Sequence, residues 1–151
     1  MSLEENKAIV RKLTEDFNTR NLKALYESIA PNVVLYTNAL QMHGLEEYKR
    51  FIAMFLKSFP DYRDSIEDVI AEDHQVWVRA IVTGTHTGEF RGSAPTNKKF
   101  TEPHVHIYRI VNGKVVECWA VVDELDFLKQ RGAIEITEQG KHLFPDEKVL
   151  P

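Results

Sequence analysis

The sequence predicts an α+β domain, with helices packed on one face of a bent antiparallel sheet. Three observations carry that expectation. Apolar residues recur at helical spacing as far as Pro60, and the period then drops to two in the second half of the chain. Asn112-Gly113, a strong hairpin signal, stands between two alternating runs.

Ser2-Leu3-Glu4-Glu5 has the form of a capping box, in which a hydroxyl and a carboxylate three residues apart satisfy free N–H groups. Ile9, Val10, Leu13 and Phe17 follow at helical spacing and give a first amphipathic helix. Asn21 is expected to cap a short second helix through Leu22, Leu25, Tyr26 and Ile29, stopped by Pro31. Val33 to Asn38 reads as a strand. Beyond His43-Gly44, a third helix carries Leu45, Tyr48, Ile52, Phe55, Leu56 and Phe59 and ends at Pro60. Its aromatics suit it to plug one mouth of a curved sheet. Residues 62–72 are strand-like but irregular, which predicts a bulge. From Gln75 to Thr87, Val76, Val78, Ala80 and Val82 alternate with Trp77, Arg79, Ile81 and Thr83. Phe100 to Ile110 and Lys114 to Asp123 form two more strands. Glu124 to Gln130 is a short helix closed by Gly132. The tail from Glu135 to Pro151 has no clear period and is expected to be ordered only against the body or a partner subunit.

A chain of 151 residues fits one domain, with its core over about residues 5–134. Hydrophobic residues at 43% and charged residues at 28% describe a globular protein rather than a disordered one. The formal net charge of −4 gives no footing for a nucleic acid or an anionic membrane surface. No apolar run approaches the roughly 20 residues a spanning helix needs. The acidic, helically patterned N-terminus reads as no secretory leader, so a cytoplasmic domain is expected. Cys118 is the only cysteine, which excludes an internal disulfide and an all-cysteine zinc site. Glycine-rich nucleotide loops and a Gly-x-Ser-x-Gly elbow are absent, so nucleotide-driven chemistry and serine hydrolysis are unsupported.

The candidate chemical residues each have a second reading. Asp123 ends the run Cys118-Trp119-Ala120-Val121-Val122, where alternation puts Trp119, Val121 and Asp123 on one face. Facing a cavity, its carboxyl would be desolvated and useful as an acid or base. Standing before a helix, with Asp126 three positions on, it reads from local pattern alone as an N-cap first. His104 and His106 share a strand face with Tyr108. That spacing suits a metal, but no carboxylate follows at the expected distance, and no metal or cofactor is expected. Polar lining of a pocket and plain exposure are the other readings. His86, within Thr85-His86-Thr87-Gly88-Glu89-Phe90, fits a structural corner or a pocket rim. Tyr36 and Asn38 could donate to a carbonyl. Cys118 is expected in the core.

These segments together resemble the SnoaL-like polyketide cyclases of the nuclear transport factor 2-like superfamily. The resemblance rests on Ala30-Pro31-Asn32-Val33-Val34, His43-Gly44-Leu45-Glu46-Glu47-Tyr48, Phe59-Pro60-Asp61-Tyr62 and Ile66-Glu67-Asp68-Val69-Ile70-Ala71-Glu72-Asp73. It continues through Gly84-Thr85-His86-Thr87-Gly88-Glu89-Phe90, Tyr108-Arg109-Ile110 and the stretch from Asn112 to Leu125. It implies a cone-shaped barrel, a curved sheet wrapped around the helices with a pocket inside, and cofactor-independent acid/base chemistry. An intramolecular aldol closure of a small hydrophobic carbonyl compound is the implied reaction, with Asp123 as acid/base and His106 as its orienting partner. Tyr36 and Asn38 would be carbonyl donors, and Tyr62, His86, His104 and Trp119 would shape the pocket. Other proteins on this scaffold are isomerases, dehydratases or non-catalytic binders, which remain alternatives. A homodimer through the outer face carrying Trp77, Arg79 and Ile81 is expected. Tyr36 departs from the family, where many relatives carry a histidine. His104 and His106 replace small or acidic residues, and Ser93-Ala94-Pro95-Thr96-Asn97 replaces a more usual Ile-Pro-Pro-Thr-Gly.

Overall fold

A computed structural model describes residues 1–38 and 40–143. The part of the expected tail beyond residue 143 lies outside the described residues. Helices α1 (Leu3–Asn18), α2 (Leu22–Glu27) and α3 (Leu45–Ser58) precede most of the sheet. The strands are β1 (Ile29–Tyr36), β2 (Gln41–His43), β3 (Arg63–Glu72), β4 (Gln75–Thr85), β5 (Lys99–Val111) and β6 (Lys114–Val122). Helix α4 (Glu124–Gln130) and a 3-10 turn at Gly140–His142 follow. Among the described residues no helix is long and apolar enough to cross a membrane.

The predicted capping box of α1 is formed: the Ser2 N–H donates to Glu5 Oε2 at 2.6 Å and the Glu5 N–H to Ser2 Oγ at 3.1 Å. The second helix departs from expectation. It ends at Glu27, and Ile29 and Pro31 already belong to β1. Asn21 does not cap it, because its side-chain amide donates to Asp16 Oδ1 at 3.2 Å instead.

The sheet runs β2-β1-β6-β5-β4-β3. It is open, with β2 and β3 at its edges, so the expected barrel is not closed. It is also mixed: β1 pairs with β6 in parallel, and the remaining neighbours are antiparallel. A hairpin dictates antiparallel pairing, but β1 arrives from the helical half and no turn ties it to β6. The three-residue edge strand β2 was not legible in the sequence.

Two bulges set which residues face inward. In β3 the pairing passes from Ile66 opposite Ala80 to Asp68 opposite Arg79, which leaves Glu67 over. The irregularity predicted for this stretch is that bulge. In β6 the pairing passes from Ile110 opposite Val115 to Arg109 opposite Glu117, which leaves Val116 over. Each extra residue reverses the phase of the side chains beyond it. The β5–β6 turn at Asn112-Gly113 has φ of 50° and 76°, the left-handed values a two-residue hairpin requires.

Val76, Val78, Ala80 and Val82 of β4 are buried, as their alternation predicts, the first three in one cluster with Val10 and Leu13 of α1. A second cluster is aromatic. Phe59 sits at its centre, 5.0 Å from the Phe90 ring and 5.5 Å from Phe100, with Phe127 and Tyr62 completing it. Arg131 lies over the Phe127 ring at 4.3 Å. This cluster is closed off by the loop at Gly88, where an added Cβ would stand 2.3 Å from the Lys57 carbonyl oxygen. Gly88→Ala is therefore expected to lower the unfolding free energy by about 1–3 kcal/mol, as overpacking does. Urea denaturation measures it.

Candidate active site

A cavity of about 180 Å³ lies between α1, α3 and the concave face of the sheet. A single water needs roughly 10–15 Å³ on this scale, so about a dozen water-sized groups fit, enough for a ring-bearing organic molecule. Leu13, Phe17, Phe51, Phe55, Phe100 and Phe127 supply much of its apolar wall. Five carboxyl or imidazole side chains interrupt that wall: Asp64 from β3, Glu102, His104 and His106 from β5, and Glu124 from α4.

Strand alternation explains the β5 set, since residues two apart share a face. Asp64 is placed differently. Asn18, at the end of α1, clamps its backbone from both sides: its amide donates to Asp64 O at 2.7 Å and its carbonyl accepts the Asp64 N–H at 2.9 Å. The Asp64 carboxyl then enters the cavity, with Oδ2 at 3.7 Å from His106 Nε2. That separation exceeds a hydrogen bond. Asp64 Oδ1 and His106 Nε2 are both buried without a hydrogen-bond partner. Glu102 and His104 are paired, Oε1 to Nε2 at 2.8 Å. Glu102 Oε2 and His104 Nδ1 are again buried and unpartnered. The rings of His104 and His106 lie 5.5 Å apart, and His106 stacks on Tyr108 at 5.9 Å.

Burial acts on these groups in opposite senses. It raises Asp64 to about 6, against the pull of His104, because the charged carboxylate loses hydration. It lowers His106 to about 3, helped by His104, because the imidazolium loses hydration. Around neutral pH the cavity thus holds a largely ionised carboxylate beside a neutral imidazole. Tyr48, Tyr62 and Tyr108 are raised above the usual phenol range by burial, so they remain hydroxyl donors. The Cys118 thiol, pushed up to about 12 by burial, stays protonated against the cavity wall.

Of the residues singled out in the sequence, the structure brings His104, His106 and Tyr62 to the cavity. Asp123 is not among its lining. It is exposed, and its carboxylate caps α4 by accepting the Asp126 N–H at 3.0 Å. The shared face of Trp119, Val121 and Asp123 is the outer one, because the bulge at Val116 turns Cys118, Ala120 and Val122 inward. Trp119 stacks on Tyr36 with ring centres 5.4 Å apart and planes 6° apart. Tyr36 borders the cavity, but its ring is engaged in that stack. Asn38 pins the end of β1 to β6, donating to Val122 O at 2.6 Å. His86 takes its corner reading: fully buried, it accepts the Thr96 N–H at Nδ1 (3.3 Å) and packs 5.4 Å from Phe59. Asp64 and Glu102 went unremarked in the sequence. Glu102 at an alternate position to His104 and His106 was the available signal; Asp64, between Arg63 and Ser65, gave none. Among the described residues no three His, Cys, Asp or Glu side chains group closely enough to hold a metal ion.

The profile of the SnoaL-like polyketide cyclase family matches residues 7–131. The chain belongs to that family. It is similar to the aklanonic acid methyl ester cyclase AcmA of Streptomyces galilaeus, at 30% identity over 120 residues, 75% of this chain and 81% of that one. The nogalonic acid methyl ester cyclase of Streptomyces nogalater is 29% identical over 106 residues, 66% of this chain and 76% of its own. Among solved structures, AclR of Streptomyces galilaeus, a candidate hydroxylase, superposes with a TM-score of 0.79 at 30% identity, covering 89% of this chain and all of that one. The mixed, curved, open sheet over helices is thus the fold of this polyketide cyclase family.

The raised carboxyl has a consequence for stability. A group whose folded pKa exceeds its unfolded value binds more protons when folded, so its contribution is favourable at low pH and is lost as pH rises through the folded value. For Asp64 that loss runs from about pH 4 to pH 6. Asp64→Asn is expected to raise unfolding free energy at pH 7 by up to about 3 kcal/mol, and to lose that advantage by pH 4. Denaturant melts at the two pH values check it.

Proposed function

We propose that this protein is an acid/base enzyme that closes a ring in a small polyketide-like carbonyl compound without a cofactor, with Asp64 as its base. One observation carries the reading: an aspartate only 13% exposed, with a free oxygen, beside an unpartnered neutral histidine in a largely apolar cavity. A carboxylate with a pKa near 6 is well matched to take a carbon-bound proton at neutral pH. The proton comes from a carbon flanked by two carbonyls. The electron pair left behind forms an enolate, whose carbon attacks a second carbonyl of the same molecule. The neutral His106 ring can donate a hydrogen bond to the enolate oxygen from a site that contains little competing water. The apolar wall holds the chain folded so that the reacting carbons meet, which removes much of the entropic barrier. The named relatives support a polyketide methyl ester as the substrate class.

The test uses aklanonic acid methyl ester, after which AcmA is named, incubated in D₂O. The expected product is an isomer, differing from substrate only by the deuterium taken up. Asp64→Asn is expected to slow it roughly 10²–10⁴-fold, the usual worth of a positioned general base, and Asp123→Asn to leave it near the wild-type rate. A folded Asp64→Asn variant at full rate overturns the assignment. A product lighter by water, one heavier by oxygen, or tight binding without turnover would select a dehydratase, a hydroxylase or a binding protein.

We also propose a homodimer through the outer face of the sheet. Ile70, Trp77, Ile107, Trp119 and Tyr36 stand opposite one another in register across β3, β4, β5, β6 and β1. Ile70 is 66% and Trp77 42% exposed, an apolar row of the kind that calls for cover. Sedimentation is expected to read twice the 17.4 kDa of one chain, and Trp77→Glu to shift it to the single chain. A wild type that sediments as one chain overturns the proposal.

A further inference from the structure

We propose that Glu102 and His104 form a second acid/base centre in the cavity, which delivers the proton to the carbonyl oxygen under attack while Asp64 removes the proton from carbon. The proposal rests on the reading of Asp64 as the base. Its own support is independent geometry.

A buried carboxylate–imidazole pair is a poor stabilising device, because apolar residues of similar volume often serve as well or better. Glu102 is 3% and His104 7% exposed, and both side chains line the cavity. Only one oxygen and one nitrogen are used between them, 2.8 Å apart. Glu102 Oε2 and His104 Nδ1 are left without partners, an unfavourable state for a buried polar atom. A ligand oxygen at Nδ1 would satisfy it. With Nε2–H donated to Glu102, the free nitrogen of His104 is Nδ1, and the carboxylate stabilises the imidazolium that bears a proton there. Glu102 is thus a positioning residue acting through His104.

The aldol step then balances. Asp64 carboxylate accepts the proton from carbon, the C–C bond forms, and the π electrons of the attacked carbonyl move to its oxygen. That oxygen takes the Nδ1 proton of His104 and becomes an alcohol. One proton is removed and one supplied, so the product is isomeric with the substrate. The cycle closes when the proton on Asp64 reaches His104. His106 stands next to both, 3.7 Å from Asp64 and 5.5 Å ring to ring from His104.

Tyr36, Tyr48, Arg91, Tyr108, Cys118 and Glu124 share the cavity wall with the pair. Asp64 acts on it from β3, Tyr62 from the segment before β3, and Arg131 from beyond α4; His106 is its neighbour on β5. The residues opposite His104 on β4 and β6 are Ala80 and Val122, which carry no charge.

The experiment separates the two proton transfers with aklanonic acid methyl ester in D₂O, reading deuterium in unreacted substrate and the amount of cyclised product. In Glu102→Gln and His104→Gln, exchange into recovered substrate is expected to continue near the wild-type rate while closure falls about 100-fold or more. A purely structural pair would not separate exchange from closure. Equal loss of both steps in a folded variant, or closure at the wild-type rate, overturns the proposal. Thermal melts verify folding, and if His104→Gln fails to fold, Glu102→Gln, which alters only a charge, decides. Undiminished exchange in Asp64→Asn would remove the base assignment and leave this one standing, whereas a wild type that neither exchanges nor cyclises the ester overturns both.

Discussion

Strand β5 crosses the middle of the sheet, and its two-residue period puts Phe100, Glu102, His104, His106, Tyr108 and Ile110 on the concave side. It is hydrogen-bonded along both edges, to β4 from Lys99 to Arg109 and to β6 from His104 to Val111. A slip of one position would turn in Thr101, Pro103, Val105 and Ile107 and remove the histidines from the cavity. The double pairing holds that register. Helices α1 and α3 then roof the same face with aromatic and aliphatic side chains, so the histidines and Asp64 lose water together. Acid/base character here is a product of register and roof rather than of any one residue.

Much of the fold was legible because hydrophobic period, caps and turns agreed with one another. Ser2 and Glu5 gave the first helix, Asn112-Gly113 gave the hairpin, and β4 gave its buried and exposed faces outright. The misplacement of the β6 side chains has one cause, a residue left over in the strand. Counting outward from Asn112-Gly113 without a bulge places Trp119 opposite His106. The observed partner of His106 is Ala120, because Val116 is left over. Both faces of β6 are apolar there, so polarity offered no correction. That single bulge moved Trp119, and with it Asp123, to the outside.

Asp64 was hidden for a related reason. Arg63, Asp64 and Ser65 look like a solvated strand start, and neighbours in sequence report nothing about Asn18 arriving from α1. The bulge at Glu67 lets Asp64 face the cavity and Ile66 pack on the core before it, and Val69 and Ala71 pack on the same core after it. In an unbroken strand those two pairs could not share a face. The parallel pairing of β1 with β6 was likewise a long-range fact that no local turn encodes.

The cavity's polar groups are expensive, and the expense is partly self-cancelling. Burial favours protonated Asp64 and deprotonated His106. Acidification from pH 6 towards 4 therefore relieves the first while it strains the second. The two groups are 3.7 Å apart, so one proton placed between them would satisfy much of what each lacks. A pair with that property binds and releases a proton at little change in total stability, which is the physical requirement for a residue that must do both in every cycle. The aromatic cluster around Phe59, whose members Tyr62, Phe90, Phe100 and Phe127 also form part of the cavity wall, supplies stability on which this unsatisfied set depends.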